Sequence, residues 1–467
     1  MSICTTWYIK SVVQKDTRNP LTLHPERHVN FLKTDSMDTT AVRKRIVVVG
    51  GGFAGLNFAS NLYNNDHYDI TLVDRNNYNY FTPLLYQVAT SFLEPASISY
   101  PFRKLFRGKR VQFRMAEVRN VDLGSKTLQL DNGTLSYDYL VFACGAHTNF
   151  YGIESVRQNA VSLKNIDDAL AMRNELIKTL EKAAIEKDLE ERRRLLTFVV
   201  AGGGPTGVEL AGMLAEMRDF MLTRDYPELK HAEGDIYLVD GGPALLAPMS
   251  EKTHQETFRI FEKMGVKVLL EKRVTDYKDG KVSFKSGEII EARTMIWAAG
   301  IIANTFEGIP QQCLGPANRM ITDEFSQVKG LKDVFAVGDI SIMFTDPAYP
   351  KGHPQLAQYA IQTGKTLAGN FKRQAKNKPL KPFIYFDRGE MAIIGKNRAV
   401  ADLLKHKLHL SGFFALMSWL FIHLVSLVNY NNKVKTFYNW AVAYLTRDQA
   451  LRMIFRGTRA DEDSKNP

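Results

Sequence analysis

Short, continuous apolar runs alternate along this chain with longer stretches of helical periodicity. Ile46–Val49 and Phe198–Ala201 are two such runs, and each passes directly into three glycines and then into a helix-forming segment. A short apolar run bounded by glycine is typical of a strand that is buried on both faces. The pattern therefore predicts two strand–turn–helix units in an α/β protein with parallel sheets.

The first glycine turn reads as GxGxxG through Gly50, Gly52 and Gly55. Asp74 follows 19 positions after Gly55, at the end of the apolar run Ile70–Val73. In this motif the glycines permit a tight turn and a close approach of a pyrophosphate, and the later carboxylate binds ribose hydroxyls. The first unit is therefore predicted to be a Rossmann-like dinucleotide-binding domain.

The second glycine turn has the same form, with Gly202, Gly204 and Gly207 in the GxGxxG positions. Its acidic partner is Asp240, 33 positions after Gly207, because a polar stretch over 223–234 lengthens the gap. A carboxylate at this place repels a 2′-phosphate, so the second site should prefer NADH to NADPH. Two such turns in one chain predict two bound dinucleotides and electron transfer between them.

Further strand ends repeat the arrangement. The segments Tyr139–Gly145 and Met295–Gly300 are both apolar runs that close in small residues, as expected of a duplicated architecture. A third run from Val334 ends in Gly338 and Asp339, ahead of a helix predicted over 356–371. Asp339 is placed to bond flavin ribityl hydroxyls, with the helix amino terminus toward the phosphates. A plain exposed Gly-Asp turn is the alternative.

Two other stretches carry structural expectations only. Residues 165–194 predict one long charged helix, opened by Asn165 and Asp167. The segment 128–134 carries a hairpin signal at Asn132-Gly133. Residues 1–44 show no apolar signal-peptide core and no periodicity, so they are interpreted as a disordered extension or an over-long reading frame.

Charge and cysteine content narrow the class of protein. The net charge is +11, and residues 396–459 alone carry ten basic and two acidic side chains. Since this tail is also rich in large apolar residues, an anionic membrane surface explains it better than a nucleic acid, for which no motif is present. The three cysteines form no CxxC pair, which favours a reducing compartment and argues against a thiol relay as the electron acceptor. No spacing indicates a metal site.

The apolar part of the tail is short. Residues 412–428 form a 17-residue run interrupted by Ser418, His423 and Ser426, at the lower limit for a spanning helix. Beyond it, apolar residues from Val434 to Phe455 keep three- and four-residue spacing, which predicts an amphipathic helix. A monotopic anchor is therefore favoured over a true span.

Taken in this order, the motifs resemble the two-dinucleotide-binding-domain flavoproteins, with a fold like that of glutathione reductase. Among these the chain is similar to the type II NADH dehydrogenases, which are single-subunit, non-pumping NADH:quinone oxidoreductases. The narrower likeness rests on three stretches, Tyr80–Ala89, Ala357–Gln362 (AQxAxQ) and Met391–Val400. One departure is Cys144, which stands where the family usually has threonine.

The resemblance implies bound FAD and NADH. The residues that would hold FAD are Gly50, Gly52, Gly55, Asp74, Pro83, Gln87, Gly338 and Asp339. The residues that would hold NADH are Gly202, Gly204, Gly207, Asp240 and Gly300.

The resemblance also implies a quinone site. Glu209 matches a family glutamate near the junction of nicotinamide, flavin and quinone, although a carboxylate in a first helical turn is also ordinary. Gln358 and Gln362 would reach quinone carbonyls, or else form a plain surface pair. Lys396 would polarise a quinone carbonyl. The implied partners are a membrane quinone (ubiquinone or menaquinone), the bilayer surface at the cytoplasmic face of the cell membrane, and a second copy in a homodimer.

The resulting organisation has five parts. They are an extension (1–44), a first FAD-binding part (45–160), an NADH-binding domain (161–305), a second FAD-binding part (306–385) and a carboxy-terminal quinone and membrane domain (386–467). Three alternatives stay open, namely a sulfide:quinone oxidoreductase, another FAD- and NADH-dependent reductase, and a flavin-binding sensor without turnover.

Overall fold

The structure is a computed structural model that describes residues 43–230, 232–404, 407–446 and 451–454. The predicted amino-terminal extension lies outside the described residues except for Arg43 and Lys44. The same holds for the end of the basic tail beyond residue 454.

The first nucleotide unit begins at the first apolar run. Its strands are β1 (Lys44–Val49), β2 (Tyr68–Asp74), β3 (Tyr78–Tyr80), β4 (Ser99–Pro101), β5 (Val111–Met115), β6 (Val118–Asp122), β7 (Thr127–Leu130), β8 (Gly133–Ser136), β9 (Tyr139–Phe142) and β10 (Ala146–Thr148). Its helices are α1 (Phe53–Leu62), α2 (Leu85–Ala89), α3 (Pro95–Ile98) and α4 (Phe102–Leu105).

The second unit follows the same plan. Its strands are β11 (Val161–Ser162), β12 (Phe198–Ala201), β13 (Ile236–Val239), β14 (Val266–Leu269), β15 (Val274–Lys278), β16 (Lys281–Phe284), β17 (Ile289–Glu291), β18 (Thr294–Trp297) and β19 (Ile301–Ala303). Its helices are α5 (Glu154–Asn159), α6 (Ile166–Ile185), α7 (Leu189–Leu196), α8 (Pro205–Arg224) and α9 (Glu251–Lys263).

The remaining elements return to the first unit and then form the carboxy-terminal part. They are β20 (Met320–Thr322), β21 (Val334–Ala336), β22 (Ser341–Met343), α10 (Ala357–Gln374), β23 (Gly389–Ile393), β24 (Ala399–Leu403), β25 (Leu408–Ser411), α11 (Gly412–Ser426) and α12 (Tyr430–Thr446). Short 3₁₀ turns lie at Thr82–Leu84, Pro227–Leu229, Gln311–Cys313, Pro316–Asn318 and Gly338–Ile340.

Two five-stranded parallel sheets carry the architecture. Their strand orders are β21-β9-β1-β2-β5 and β11-β18-β12-β13-β14, with the strand before each glycine turn in the middle. The strands β9 and β18, which lead into the turns at Gly145 and Gly300, occupy equivalent places, so the predicted duplication is confirmed. Because β21 pairs with β9, the chain returns to the first sheet after completing the second. The fold is the predicted α/β pair of Rossmann-like domains.

Each unit also carries a three-stranded antiparallel sheet, β6-β7-β8 and β15-β16-β17. The predicted hairpin at 128–134 is the turn between β7 and β8, where Leu130 pairs with Gly133. The single helix predicted over 165–194 is wrong. The backbone of Glu186 is extended, so α6 ends there, and the Asp188 side chain caps α7 by accepting the Glu190 N–H.

The carboxy-terminal part is a three-stranded antiparallel sheet, β23-β24-β25, followed by α11 and α12. Both helices pack against the second nucleotide unit, since the side chains of Trp419 and Trp440 are buried in one core with residues of that unit. Among the described residues, no helix combines the length and apolar character needed to cross a membrane.

Candidate functional site

The two glycine turns have the same backbone geometry. Gly50 and Gly202 adopt positive φ angles of 102° and 119°, which favour glycine. A Cβ on Gly50 would strike the backbone at Cys144, and one on Gly202 would strike the backbone of Ala298. These contacts are why neither position tolerates a side chain.

The later glycines of each motif differ in what they face. A Cβ on Gly55 or Gly207 would collide with the carbonyl oxygen of Gly50 or Gly202, so these two bring helix and turn together. A Cβ on Gly52 would meet no atom within 4 Å, because it would project into open space at the start of α1. A Cβ on Gly204, the corresponding glycine of the second turn, would likewise meet no atom within 4 Å. These open cradles at helix amino termini fit the pyrophosphates of FAD and NADH.

A carboxylate clamps each turn from the end of the neighbouring strand. Asp74 accepts the N–H of Gly51 at 2.7 Å with one oxygen and the N–H of Asn76 at 2.8 Å with the other. Asp240 likewise accepts the N–H of Gly203 at 2.5 Å and that of Gly242 at 2.6 Å. Burial raises the pKa of Asp74 despite these bonds. Each oxygen keeps a lone pair for a ribose hydroxyl, as the acidic partner of this motif requires.

Gly338 and Asp339 lie where β21 meets α10. The N–H of Gly338 donates to the Thr363 hydroxyl at 3.1 Å, and the Gln355 amide donates to the Asp339 carbonyl at 2.9 Å. Burial raises the pKa of the Asp339 carboxyl, and the positive charges of Lys164 and Arg319 oppose that shift. The turn is thus held from α10, and Gly338 lies against Ala54, at the start of α1 after the first glycine turn.

The segment Tyr80–Ala89, which is expected to line the flavin ring, lies beside the first glycine turn. Pro83 is in the 3₁₀ turn that precedes α2, and Gln87 is buried in α2 itself. Asn79 donates its amide to the Gly51 carbonyl at 2.8 Å. Sequence reasoning missed Asn79, since no local pattern distinguishes it from the neighbouring asparagines.

Glu209 is buried in the first turns of α8. Burial raises its pKa to about 8, although the N–H of Ile393 and the indole of Trp419 act to lower it. A carboxyl with that pKa holds its proton at neutral pH and releases it near pH 8. Because Ile393 and Trp419 belong to the carboxy-terminal part, the structure brings Glu209 to the boundary between that part and the second nucleotide unit.

The two glutamines of α10 fasten the chain that leads into β23. The Gln362 amide donates to the Phe386 carbonyl at 2.9 Å and accepts the Phe386 N–H at 2.9 Å. The Gln358 amide donates to the Gly389 carbonyl at 3.3 Å and accepts the Arg388 N–H at 3.1 Å. Both side chains therefore act as a clasp in this structure, and their contact with a quinone stays a prediction.

Lys396 lies farther along the same boundary. Its ammonium donates to the carbonyls of Ala443 and Tyr444, at 2.8 and 3.3 Å, near the end of α12. Its backbone N–H donates to Glu216 of α8 at 2.5 Å. Lys396 thus joins α12 to α8, and its action on a quinone carbonyl stays a prediction. Gly300 lies in the turn that follows β18, next to the Tyr151 hydroxyl.

Comparison with known proteins agrees with this geometry. The family model described as pyridine nucleotide-disulphide oxidoreductase matches residues 44–364, and the model of the NDH2 C-terminal domain matches residues 388–448. The chain is 37% identical over 419 residues to the type II NADH:quinone oxidoreductase NdhA of Mycobacterium tuberculosis, covering 87% of this chain and 88% of that protein. The chain belongs to the type II NADH:quinone oxidoreductase family.

Other members and neighbours extend the match. Ndh, a second type II NADH:quinone oxidoreductase of M. tuberculosis, is 34% identical, covering 86% of this chain and 89% of that protein. The structure of Plasmodium falciparum NDH2 in complex with NADH superposes with a TM-score of 0.80 at 23% identity, over 89% of this chain and 100% of that one. Sulfide:quinone oxidoreductase of Aquifex aeolicus shares the fold at a TM-score of 0.66 and 20% identity, over 88% and 93% of the two chains.

Some contacts made by the site residues of this type II oxidoreductase had no signal in the sequence. Trp440 donates its indole N–H to Gln87 across 353 positions of chain, a contact that only the fold creates. Arg273 packs against Gly241, directly beside the Asp240 clamp, from the loop after β14. A search for arginines in the loop after β14 could have suggested Arg273, but nothing marked Trp440.

Proposed function

We propose that this type II oxidoreductase binds FAD in the first nucleotide unit and exchanges NADH in the second, and that it delivers electrons to a membrane quinone. The observation that carries the proposal is the repeated carboxylate clamp, Asp74 on Gly51 and Asp240 on Gly203, in one chain with an NDH2 C-terminal domain. FAD, when bound, accepts a hydride from NADH and gives two electrons to quinone.

The residues of this chain bind, orient and exclude water. The turns at Gly50–Gly55 and Gly202–Gly207 hold the two pyrophosphates, and Asp74 and Asp240 hold the ribose hydroxyls. Asp339, whose backbone carbonyl accepts the Gln355 amide just before α10, serves the ribityl chain. Pro83 and Gln87 shape the wall at the ring, and Gly300 serves the nicotinamide end, where the Tyr151 hydroxyl packs against it.

Quinone reduction consumes protons, and Glu209 is placed to hold one. Its buried carboxyl is protonated at neutral pH, so it can supply a proton without a charged group in the apolar site. The clasp of Gln358 and Gln362 and the bridge of Lys396 position the carboxy-terminal part around that carboxyl. Either ubiquinone or menaquinone fits this scheme.

The exposed faces of α11 and α12 support a monotopic attachment to the bilayer surface at the cytoplasmic face. Phe414 and Phe421 of α11 are 74% and 63% exposed, and Phe437 of α12 is 61% exposed. Lys433 and Lys435 lie among these residues on α12 and suit anionic lipid headgroups. A homodimer, expected from the resemblance, remains part of the proposal.

The deciding experiment follows the flavin absorbance of detergent-purified protein under anaerobic conditions. NADH should bleach the flavin, and a soluble quinone should restore its absorbance. No bleaching by NADH would contradict the proposal. Bleaching by sulfide alone would favour the sulfide:quinone alternative. The structure argues against that alternative, because burial raises the pKa of the Cys144 thiol to about 12 and so disfavours a reactive thiolate beside the first glycine turn.

A further inference from the structure

Helix α12 turns a polar side inward. The Asn432 amide donates to the carbonyls of Ser97 and Ser99, at 3.0 and 2.8 Å. The Thr436 hydroxyl donates to the same Ser97 carbonyl at 3.2 Å, and the Asn439 amide donates to the Ser97 hydroxyl at 3.0 Å. Directed bonds of this kind fix the register of a helix more tightly than apolar packing does.

At Trp440, one turn after Thr436, a buried chain of hydrogen bonds leads away from α12. The indole N–H of Trp440 donates to the Gln87 carbonyl oxygen at 2.8 Å, and the Gln87 amide donates to the Tyr86 hydroxyl at 3.0 Å. All three side chains are less than 5% exposed. A buried amide that is satisfied on both ends has one orientation, so Trp440 determines how Gln87 meets Tyr86.

Helix α2, which carries Tyr86, packs against α8, which carries Glu209. Burial, and then the Glu209 carboxyl, raise the pKa of Tyr86 well above its ordinary value. The Tyr86 oxygen already accepts from Gln87, so its own proton points away from Gln87. The other groups that act on Glu209 are the Ile393 N–H and the Trp419 indole, and Tyr444 of α12 raises the pKa of Tyr86 further.

We propose that Trp440 is a positioning residue for quinone reduction, which acts through Gln87 to hold Tyr86 beside Glu209. Helix α12 thereby carries an apolar face for the membrane on one side and orients the proton-holding site from the other. The proposal rests on the proposed function, since it concerns the quinone half of that reaction. It assigns no role to Trp440 in the reaction with NADH.

The test compares Trp440→Phe with Tyr438→Phe in the full-length, FAD-loaded protein in detergent. Phenylalanine at 440 keeps a ring in the pocket but leaves the Gln87 oxygen without its donor, whereas Tyr438 is exposed on the same helix and serves as the control. In stopped-flow measurements, NADH should bleach the flavin of both variants at the wild-type rate. Reoxidation by a soluble quinone should slow about tenfold in Trp440→Phe alone, the scale expected for a buried acceptor left unpaired.

A second readout separates orientation from plain structural support. Displacing the Tyr86 hydroxyl makes the surroundings of the buried Glu209 carboxyl less polar, which disfavours the ionised form, so the pH midpoint of reoxidation should move upward in Trp440→Phe. Tyr86→Phe, which deletes only the hydroxyl, should show the same split and the same direction. The double variant should be no slower than the slower single one, because both act through one chain of bonds.

The outcomes are distinguishable. Equal slowing of both half-reactions, additive effects in the double variant, or a Trp440→Phe protein that behaves like Tyr438→Phe would each overturn the positioning role. If Trp440→Phe does not retain FAD, Tyr86→Phe decides by the same split. A wild-type protein whose flavin NADH cannot bleach would contradict the proposed function instead.

Discussion

Asp402, in β24, accepts hydrogen bonds from both the N–H and the hydroxyl of Ser250, the residue that caps α9, at 2.6 and 3.0 Å. Thr253 of the same helix donates to Asp402 at 2.9 Å, and His409 of β25 lies at 3.0 Å. A fully buried carboxylate of the carboxy-terminal sheet thus serves the amino terminus of a helix in the second nucleotide unit. The two parts are fastened by this group.

We expect Asp402→Asn to destabilise the protein by about 2 kcal/mol at pH 7. Burial opposes ionisation, but the bonds from Ser250, His409 and Thr253 outweigh it and lower the pKa of Asp402 from 3.8 to about 2. A lowered carboxyl pKa stabilises the fold above the unfolded value of 3.8, and that contribution is lost as the pH falls toward 2. Denaturant unfolding should show a smaller difference in the free energy of unfolding between wild type and Asp402→Asn at pH 3.5 than at pH 7. Glu94→Gln, which changes an exposed carboxylate, should match wild type at both pH values.

Glu209→Gln should slow reoxidation by quinone and leave bleaching by NADH unchanged. In wild type that step should decline as the pH rises through about 8, because Glu209 then loses its proton. The glutamine variant should show no inflection there, and Asp219→Asn on the same helix should keep it. An inflection that survives in Glu209→Gln would mean that another group supplies the proton.

The same carboxyl affects stability with a definite sign. Because its pKa is raised on folding, the folded state binds the proton more tightly than the unfolded chain does. The free energy of unfolding of wild type should therefore fall, relative to Glu209→Gln, as the pH rises from about 4.5 to about 8. Parallel stability curves for the two proteins across that window would contradict the burial of an ionisable group here.

Asp240→Asn should raise the use of NADPH relative to NADH. The substitution removes the negative charge that opposes a 2′-phosphate and leaves Arg273 close by, next to Gly241. The ratio of kcat/KM for the two nucleotides, measured with one soluble quinone, should change at least tenfold. Asp74→Asn, at the FAD clamp, should leave that ratio as it is. An unchanged ratio in Asp240→Asn would show that Asp240 does not meet the ribose.

Gln362→Leu should loosen the segment that leads into β23. It removes two hydrogen bonds to Phe386, and we expect a loss of roughly 1–2 kcal/mol together with a raised KM for quinone. Gln374→Leu, on the same helix, removes one exposed bond to the Tyr139 hydroxyl and serves as the control. A raised KM without any loss of stability would favour direct contact of Gln362 with quinone over the clasp.

Membrane attachment is best tested on the exposed face of α11. Truncation before this helix would remove Trp419 from the core, so Phe414→Glu and Phe421→Glu are the sharper changes. Each should lower binding to anionic vesicles at least tenfold, since burying one phenylalanine contributes about 2 kcal/mol. Ile289→Glu, an exposed apolar position in β17, should bind as wild type does. If Phe414→Glu, Phe421→Glu and Ile289→Glu bind anionic vesicles equally well, the membrane contact lies outside the exposed face of α11.

Local patterns determined the two nucleotide units. Each depends on an apolar strand, a glycine turn and a carboxylate at the next strand end, all within about 40 residues, and the physical demands of a pyrophosphate select those residue types. The sequence likewise determined the apolar and basic character of the tail. It did not determine the break at Glu186, where the extended backbone ends a helix whose composition alone predicts continuation.

Only the tertiary structure decided what surrounds these units. The return of β21 to the first sheet, the bonds from Ser250 to Asp402 and the contact of Trp440 with Gln87 all join residues more than 100 positions apart. Such contacts are selected by the packing of whole elements, and they leave no periodic trace in the chain. The raised pKa of Glu209 is also a result of long-range packing, because β23 and α11 pack against α8 and bury its carboxyl.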